Sequence, residues 1–287
     1  MNSTPREDQK TEEAMEEVAP FAAPEVFEFV RREGVDELRR PASALMMSAL
    51  IAGLALGFSV LGKGLFHLYL PETGWRPLVE NLGYSIGFLI VIMGRMQLFT
   101  ENTITAVTPF LARPNRIVFQ RLMRLWGIVL FFNLLGAAVC GWIFLQFRYL
   151  NPDLYQSLLD ISHHALDKPF MHLVMLGVGA GWLIAALVWM MPNANGGKTT
   201  LIIIVTWLIS LAEFSHVIAG TGEASLLVLA GEISFAKALF GFTLPALIGN
   251  IVGGTLIFTV LIWAQIRSDR IDTKIDEEFS YNRFWTK

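Results

Sequence analysis

Histidine and carboxylate side chains are uncommon in long apolar stretches, and this sequence concentrates them in one. Residues 210–222 read SLAEFSHVIAGTG in the middle of an apolar segment, and they bring together Glu213, Ser215, His216 and Thr221. Imidazole is the one side chain that changes charge near neutral pH without help. A charge at the centre of a bilayer costs at least ~2.5–3.5 kcal/mol. Non-helical backbone at that depth survives only where protein or a water-filled cavity satisfies its polar groups. The stretch therefore reads as a broken membrane helix that presents His216 to a permeation path. A second apolar segment is interrupted in the same manner, right after a phenylalanine, by Phe99-Thr100-Glu101-Asn102. Intramembrane carboxylates are functional candidates by default. Glu213 stands three residues before His216, and the two share a face if that stretch is helical. Two readings stay open for Glu101 and Glu213: a proton relay, or acceptors for backbone amides freed at the helix breaks.

The elements that must position these groups follow from composition. The 287 residues are 54% hydrophobic and 16% charged, which indicates an all-α polytopic membrane protein and excludes a soluble domain. Six membrane passes are expected, each near the ~20 residues needed to cross. They fall at about residues 44–70, 78–112 (interrupted at 95–102), 122–147, 169–191, 199–229 (interrupted near 216) and 238–266. Asn133-Leu-Leu-Gly136 in the third echoes Asn250-Ile-Val-Gly253 in the sixth, and the second and fifth are the broken pair. Two inverted three-helix repeats with a site near the midplane are the expectation.

Around this core, residues 1–23 read as a disordered acidic tail and 24–41 as an interfacial amphipathic helix with Val26, Phe27, Val30 and Leu38 on its apolar stripe. Residues 42–267 form the transmembrane domain and 268–287 a second tail. The first residues lack the pattern of a signal peptide. Arg39, Arg40, Arg113, Arg116, Arg121, Arg124, Lys198, Arg267 and Arg270 gather at one set of helix ends, so both termini are expected in the cytoplasm. Residues 148–168 form the longest external loop, with Asn151-Pro152-Asp153 as its turn signal. Arg95 is expected to pair with one of the intramembrane carboxylates. His67, His163, His164 and His172 do not form a metal set, and Gly196-Gly197-Lys198-Thr199 lacks the first glycine of a phosphate loop. No cofactor and no nucleic-acid partner are expected.

The segments LFTENTITAV (98–107), FFNLLGA (131–137), WLIAALVWM (182–190), FSHVIAG (214–220) and LPALIGNIVGG (244–254) resemble the formate/nitrite transporter family, in the right order and across most of the membrane portion. The likeness is to its branch of inner-membrane proteins without an assigned substrate. It implies an aquaporin-like fold, a homopentamer with one pore per protomer in a bacterial inner membrane, and passage of small monovalent anions of weak acids. By the same resemblance His216 is the central pore histidine, Thr100 and Phe99 belong to the loop that breaks the second helix, and Asn250 is the sixth-helix asparagine. Tyr84 and Phe88, with Phe99, would narrow the cytoplasmic side; Ile184 and Ile209 would narrow the periplasmic side. Better-known members carry a small or neutral residue in place of Glu101, glutamate in place of Ser215, and asparagines in place of Gly181 and Gly220. The expected function is a channel for a small weak-acid anion, proton-linked through His216. Alternatives are a pore for a small neutral solute, a non-conducting scaffold, and an electron carrier with His172 and His216 as haem ligands.

Overall fold

The computed structural model describes residues 20–268, all of it helix and connecting turns. The acidic tail expected before residue 20, the tail after 268 and Arg270 lie outside the described residues. Helix α1 (Ala23–Arg39) starts with proline in its first turn, where a missing N–H costs nothing. Val26, Phe27, Val30 and Leu38 form its buried stripe, as their spacing predicts. Val26 and Val30 pack against Ile104, Ala185, Ala186 and Phe258, so the helix is docked on the end of the bundle. On its outer face Glu28 accepts from Arg31 and Arg32.

Five helical runs among the described residues are long and apolar enough to cross a membrane: Ala42–Tyr69, Arg76–Met93, Arg116–Leu150, Phe170–Asn193 and Lys237–Ser268. The first is α2 (Ala42–Tyr69). The second is built from α3 (Arg76–Glu80), a 3₁₀ stretch (Asn81–Tyr84) and α4 (Ser85–Met93). After a stretch that holds a single 3₁₀ turn (Glu101–Thr103) comes the short α5 (Thr108–Ala112), then the long α6 (Arg116–Leu150). The expected external loop is instead a fifteen-residue helix, α7 (Pro152–Leu166). Asn151 accepts from Leu154 N–H as its N-cap, Pro152 fits the first position, and Leu154, Leu158 and Ile161 are buried at helical spacing. The turn signal was thus the start of a helix. Then come α8 (Phe170–Met190), α9 (Lys198–Leu211) and α10 (Val217–Ala230). The last run contains α11 (Leu244–Ile251) between two π-helical stretches.

Helices α4 and α9 end in the same way. Gly94 N–H reaches Ile90 O and Met96 N–H reaches Val91 O; Ala212 N–H reaches Leu208 O and Phe214 N–H reaches Ile209 O. In each case one residue between them turns left-handed, Arg95 at φ 51° and Glu213 at φ 55°. Glycine usually fills this place. A side chain there costs about 1–2 kcal/mol.

The non-helical backbone that follows each end is held by one asparagine. Asn133 on α6 donates to Ala49 O (2.7 Å) and Gln97 O (2.9 Å) and accepts from Phe99 N–H (2.8 Å). Asn250 on α11 donates to Gly177 O (2.9 Å) and Ser215 O (2.8 Å) and accepts from Val217 N–H (2.9 Å). Glycines allow the approach. A Cβ at Gly53 would strike Asn133 O, and one at Gly181 would strike Asn250 O.

Removing either amide leaves buried backbone groups without partners, each worth about 1–3 kcal/mol. Asn133→Ala and Asn250→Ala are each expected to lower the thermal midpoint of detergent-purified protein by several degrees, read by tryptophan fluorescence. The Glu28 cluster gives a pH prediction. Its hydrogen bonds from Arg31, then Arg32, pull the carboxyl from 4.5 down to about 2. A lowered value stabilises above the unfolded pKa and is lost only as pH falls towards about 2. Acidification from pH 7 to 5 should therefore leave α1 helicity unchanged by circular dichroism.

Candidate functional site

His216 is the residue that starts α10. Its Nδ1 accepts from Ala219 N–H (3.4 Å), and its Nε2 lies 2.9 Å from Thr100 Oγ1. An Nδ1 that accepts has no proton, so the neutral ring carries its hydrogen on Nε2 and donates it to Thr100. The threonine hydroxyl keeps its own hydrogen for another acceptor. The edge of Phe88 meets the imidazole at 5.0 Å between centroids, and Tyr84 follows Phe88 at 5.3 Å. His216, Thr100, Phe88 and Phe99 are each at most 2% exposed. Thr100 and His216 come from the two interrupted regions of the chain, and the two asparagine braces set the backbone on either side of them.

Two cavities flank this junction. One, of about 50 Å³, opens near α7 and is lined by Lys63, Tyr84, Lys168, Ser215, His216 and Glu223, among others. The other, of about 150 Å³, lies against α1 and is lined by Glu33, Glu37, Arg95, Leu98, Glu101 and Lys198, among others. Phe88, Phe99 and Thr100 line neither. The α7-side cavity reaches the imidazole, and the buried Phe88 packs against that ring.

Several expected placements change. Tyr84 lines the α7-side cavity, not the side of α1; it follows α3 (Arg76–Glu80) in the second run and comes a turn before Phe88. Ile184 and Ile209 are fully buried and line neither cavity. Ile184 lies in the last two turns of α8, beside Ala185 and Ala186 that pack with α1. Asn250 spends both amide hydrogens on backbone carbonyls, so it braces the loop and has no hydrogen to offer a solute.

The charged groups also pair differently. Glu213 is not helical, so it shares no face with His216. Its carboxylate accepts from His164 Nε2 (2.8 Å) and Lys168 Nζ (3.2 Å) and is about half exposed. Arg95 pairs with Glu33 of α1 at 2.9 Å, not with an intramembrane carboxylate. Glu37 accepts from Gln97 Nε2 at 2.6 Å. Glu101 projects into the α1-side cavity, and its Oε1 is buried without a hydrogen-bond partner. Among the described residues no group of His, Cys, Asp and Glu could hold a metal ion.

Two contributors were not singled out from sequence as site residues. Asn133 was visible only as half of a repeated motif. Glu223 is an acid in an apolar helix two turns beyond His216, and that spacing is the signal that would have found it.

A bundle of apolar helices with a buried histidine and threonine between two cavities defines a membrane transport protein. The sequence profile described as formate/nitrite transporter matches residues 24–264, and the chain belongs to that family. It is 40% identical over 269 residues to the inner membrane protein YfdC of Escherichia coli strain K12, covering 94% of this chain and 87% of the relative. It superposes on a pentameric formate channel with formate bound at TM-score 0.68, with 23% identity, covering 78% of this chain and 97% of that one. An FNT family ion channel matches at TM-score 0.71 with 16% identity, covering 85% and 98% of the two chains.

The Glu213 geometry yields a test. Glu213→Gln removes a half-exposed pair worth at most about 1 kcal/mol. Transport by the variant in proteoliposomes should stay within about two-fold of wild type, as expected of a carboxylate bonded away from His216.

Proposed function

We propose that this protein is a channel for small monovalent weak-acid anions in a bacterial inner membrane, with proton-linked passage. The observation that carries this reading is the Thr100–His216 pair, buried between two cavities beside Phe88. Its chain path is six passes in two inverted three-helix repeats, α2–α6 and α8–α11 with its flanking π-helical stretches. The matching caps at Arg95 and Glu213 and the matching braces of Asn133 and Asn250 support that symmetry. The same family membership favours a homopentamer with one conduit per protomer. The α1 end is the cytoplasmic one, since the arginine-rich helix ends gather there.

Function follows from what the junction does to a solute. An apolar layer holds back ions because a bare anion loses its hydration there, whereas the neutral acid loses far less. Thr100, already accepting from His216, can direct its hydroxyl hydrogen at a carboxylate-like oxygen. The pair thus replaces part of the lost hydration at the narrowest point, and Phe88 and Phe99 admit the neutralised species. Formate, nitrite, acetate, lactate and hydrosulfide fit this description.

A second reading has its own observation. Glu101 presents an unpartnered buried oxygen to the α1-side cavity, where Glu33 and Glu37 also stand. Ionised, that group repels anions and favours a small neutral solute.

The test is a panel of weak acids and neutral solutes in proteoliposomes at two pH values. Without the imidazole, nothing holds the Thr100 hydroxyl towards the anion, and a hydrogen bond to a charged group is worth about 1.5–3 kcal/mol. His216→Ala is therefore expected to slow weak-acid flux by roughly ten- to a hundred-fold. Unchanged flux and pH dependence in that variant would discard the role of His216. Faster anion flux in Glu101→Gln, with neutral solutes unaffected, assigns Glu101 as a brake on anions. Neutral-solute flux without weak-acid flux in wild type supports the second reading.

A further inference from the structure

Glu223 is used by nothing described so far. It lies in the middle of α10, its residue is 7% exposed, and it shares the α7-side cavity with His216. No hydrogen bond or ion pair reaches its carboxyl among the described residues; the charges that act on it are Lys63 and Lys168. A buried acid in a membrane helix without a bonding partner is costly. Stability alone does not account for it, since an apolar residue would serve better.

The groups around it narrow its role. From α7 and the turn that follows, His164 and Lys168 face the cavity, and both are bonded to Glu213. From the second run comes the Tyr84 phenol, and from α2 the Lys63 ammonium, which has no ion-pair partner among the described residues. His216 completes the set, with its Nε2 turned to Thr100. A monovalent anion entering this cavity is drawn by one free ammonium. It then meets a carboxyl rather than an imidazolium, because the His216 nitrogens are already engaged.

Building on the anion-channel reading, we propose that Glu223 is the proton donor and acceptor for the passing anion on the α7 side. The protonated carboxyl gives its hydrogen to the anion, so an O–H bond at Glu223 breaks and one on the solute forms. The neutral acid moves past Phe88 and Phe99 under the Thr100 hydroxyl. Glu223, left as a carboxylate beside Lys63, takes its next proton from water in the α7-side mouth. On the far side the acid ionises, giving its proton to ionised Glu101 or to water. One proton thus travels with each anion, and the reverse sequence runs outward. His216 serves as a hydrogen-bond donor throughout and does not give up its proton.

The experiment uses full-length protein in proteoliposomes with a trapped pH dye and labelled formate. Wild type is expected to take up about one proton per formate. Glu223→Gln should lower formate flux about a hundred-fold, the low end of what a positioned proton donor contributes. Its residual flux should lose its pH dependence and its accompanying proton. Glu223→Asp, which keeps a carboxyl, should retain the one-to-one ratio at reduced flux, and it decides the matter where Glu223→Gln does not assemble. A Glu223→Gln protein with wild-type ratio and pH profile overturns the proposal and leaves the channel reading standing. So does loss of the ratio in Glu223→Asp while formate still crosses. Absence of weak-acid flux in wild type removes both.

Discussion

The unsatisfied backbone is the constraint on which the rest of this fold depends. Lipid offers no hydrogen bonds, so any helix interrupted at membrane depth must have its freed N–H and C=O groups met by protein. Here two asparagines carry most of that duty. Each donates to a carbonyl of the interrupted stretch and to a carbonyl of a neighbouring helix, and each accepts one freed amide. Interior side chains this polar are tolerated because every bond they make replaces one that water would have made. The glycines facing them follow from the same demand, since the helices must come close enough for a short side chain to reach.

That scaffolding has a chemical product. The two loops can meet only because both stay unwound, and their meeting places Thr100 against His216. The N-terminus of α10 then fixes the imidazole through Ala219 N–H. A ring held on one nitrogen by backbone has one direction left in which to act. The two cavities thus differ in chemistry though the backbone beside them is matched: one at the α1 end with Glu33, Glu37 and the buried free carboxyl oxygen of Glu101, and a smaller one with Lys63, Lys168 and Glu223 at the other.

Much of this was legible from residue types, because polar residues in apolar helices carry a large cost and stand out. His216, Thr100, Glu101, the interruptions and the repeated asparagine motif were visible for that reason. The stripe of α1 was visible because apolar spacing alone defines it. Side-chain direction was not. Glu213 would share a face with His216 only on a helix, and its own left-handed backbone turns it towards His164 and Lys168. Ile184 was placed by resemblance on the side away from α1, yet its neighbours Ala185 and Ala186 pack with α1, and apolar residues carry no mark of which wall they line. The helix over Pro152–Leu166 was hidden behind an Asn-Pro pair that begins helices as readily as it makes turns.

The left-handed residues at the two helix ends have a wider effect. Backbone geometry alone would favour glycine there, yet Arg95 reaches Glu33 and Glu213 reaches His164 and Lys168. Each therefore ends a helix and joins a charged cluster at one of the two cavities. Changing either charge means altering the residue that defines where the bend occurs. At these two positions charge and the curvature of the chain rest on a single residue, so neither can be changed there without the other.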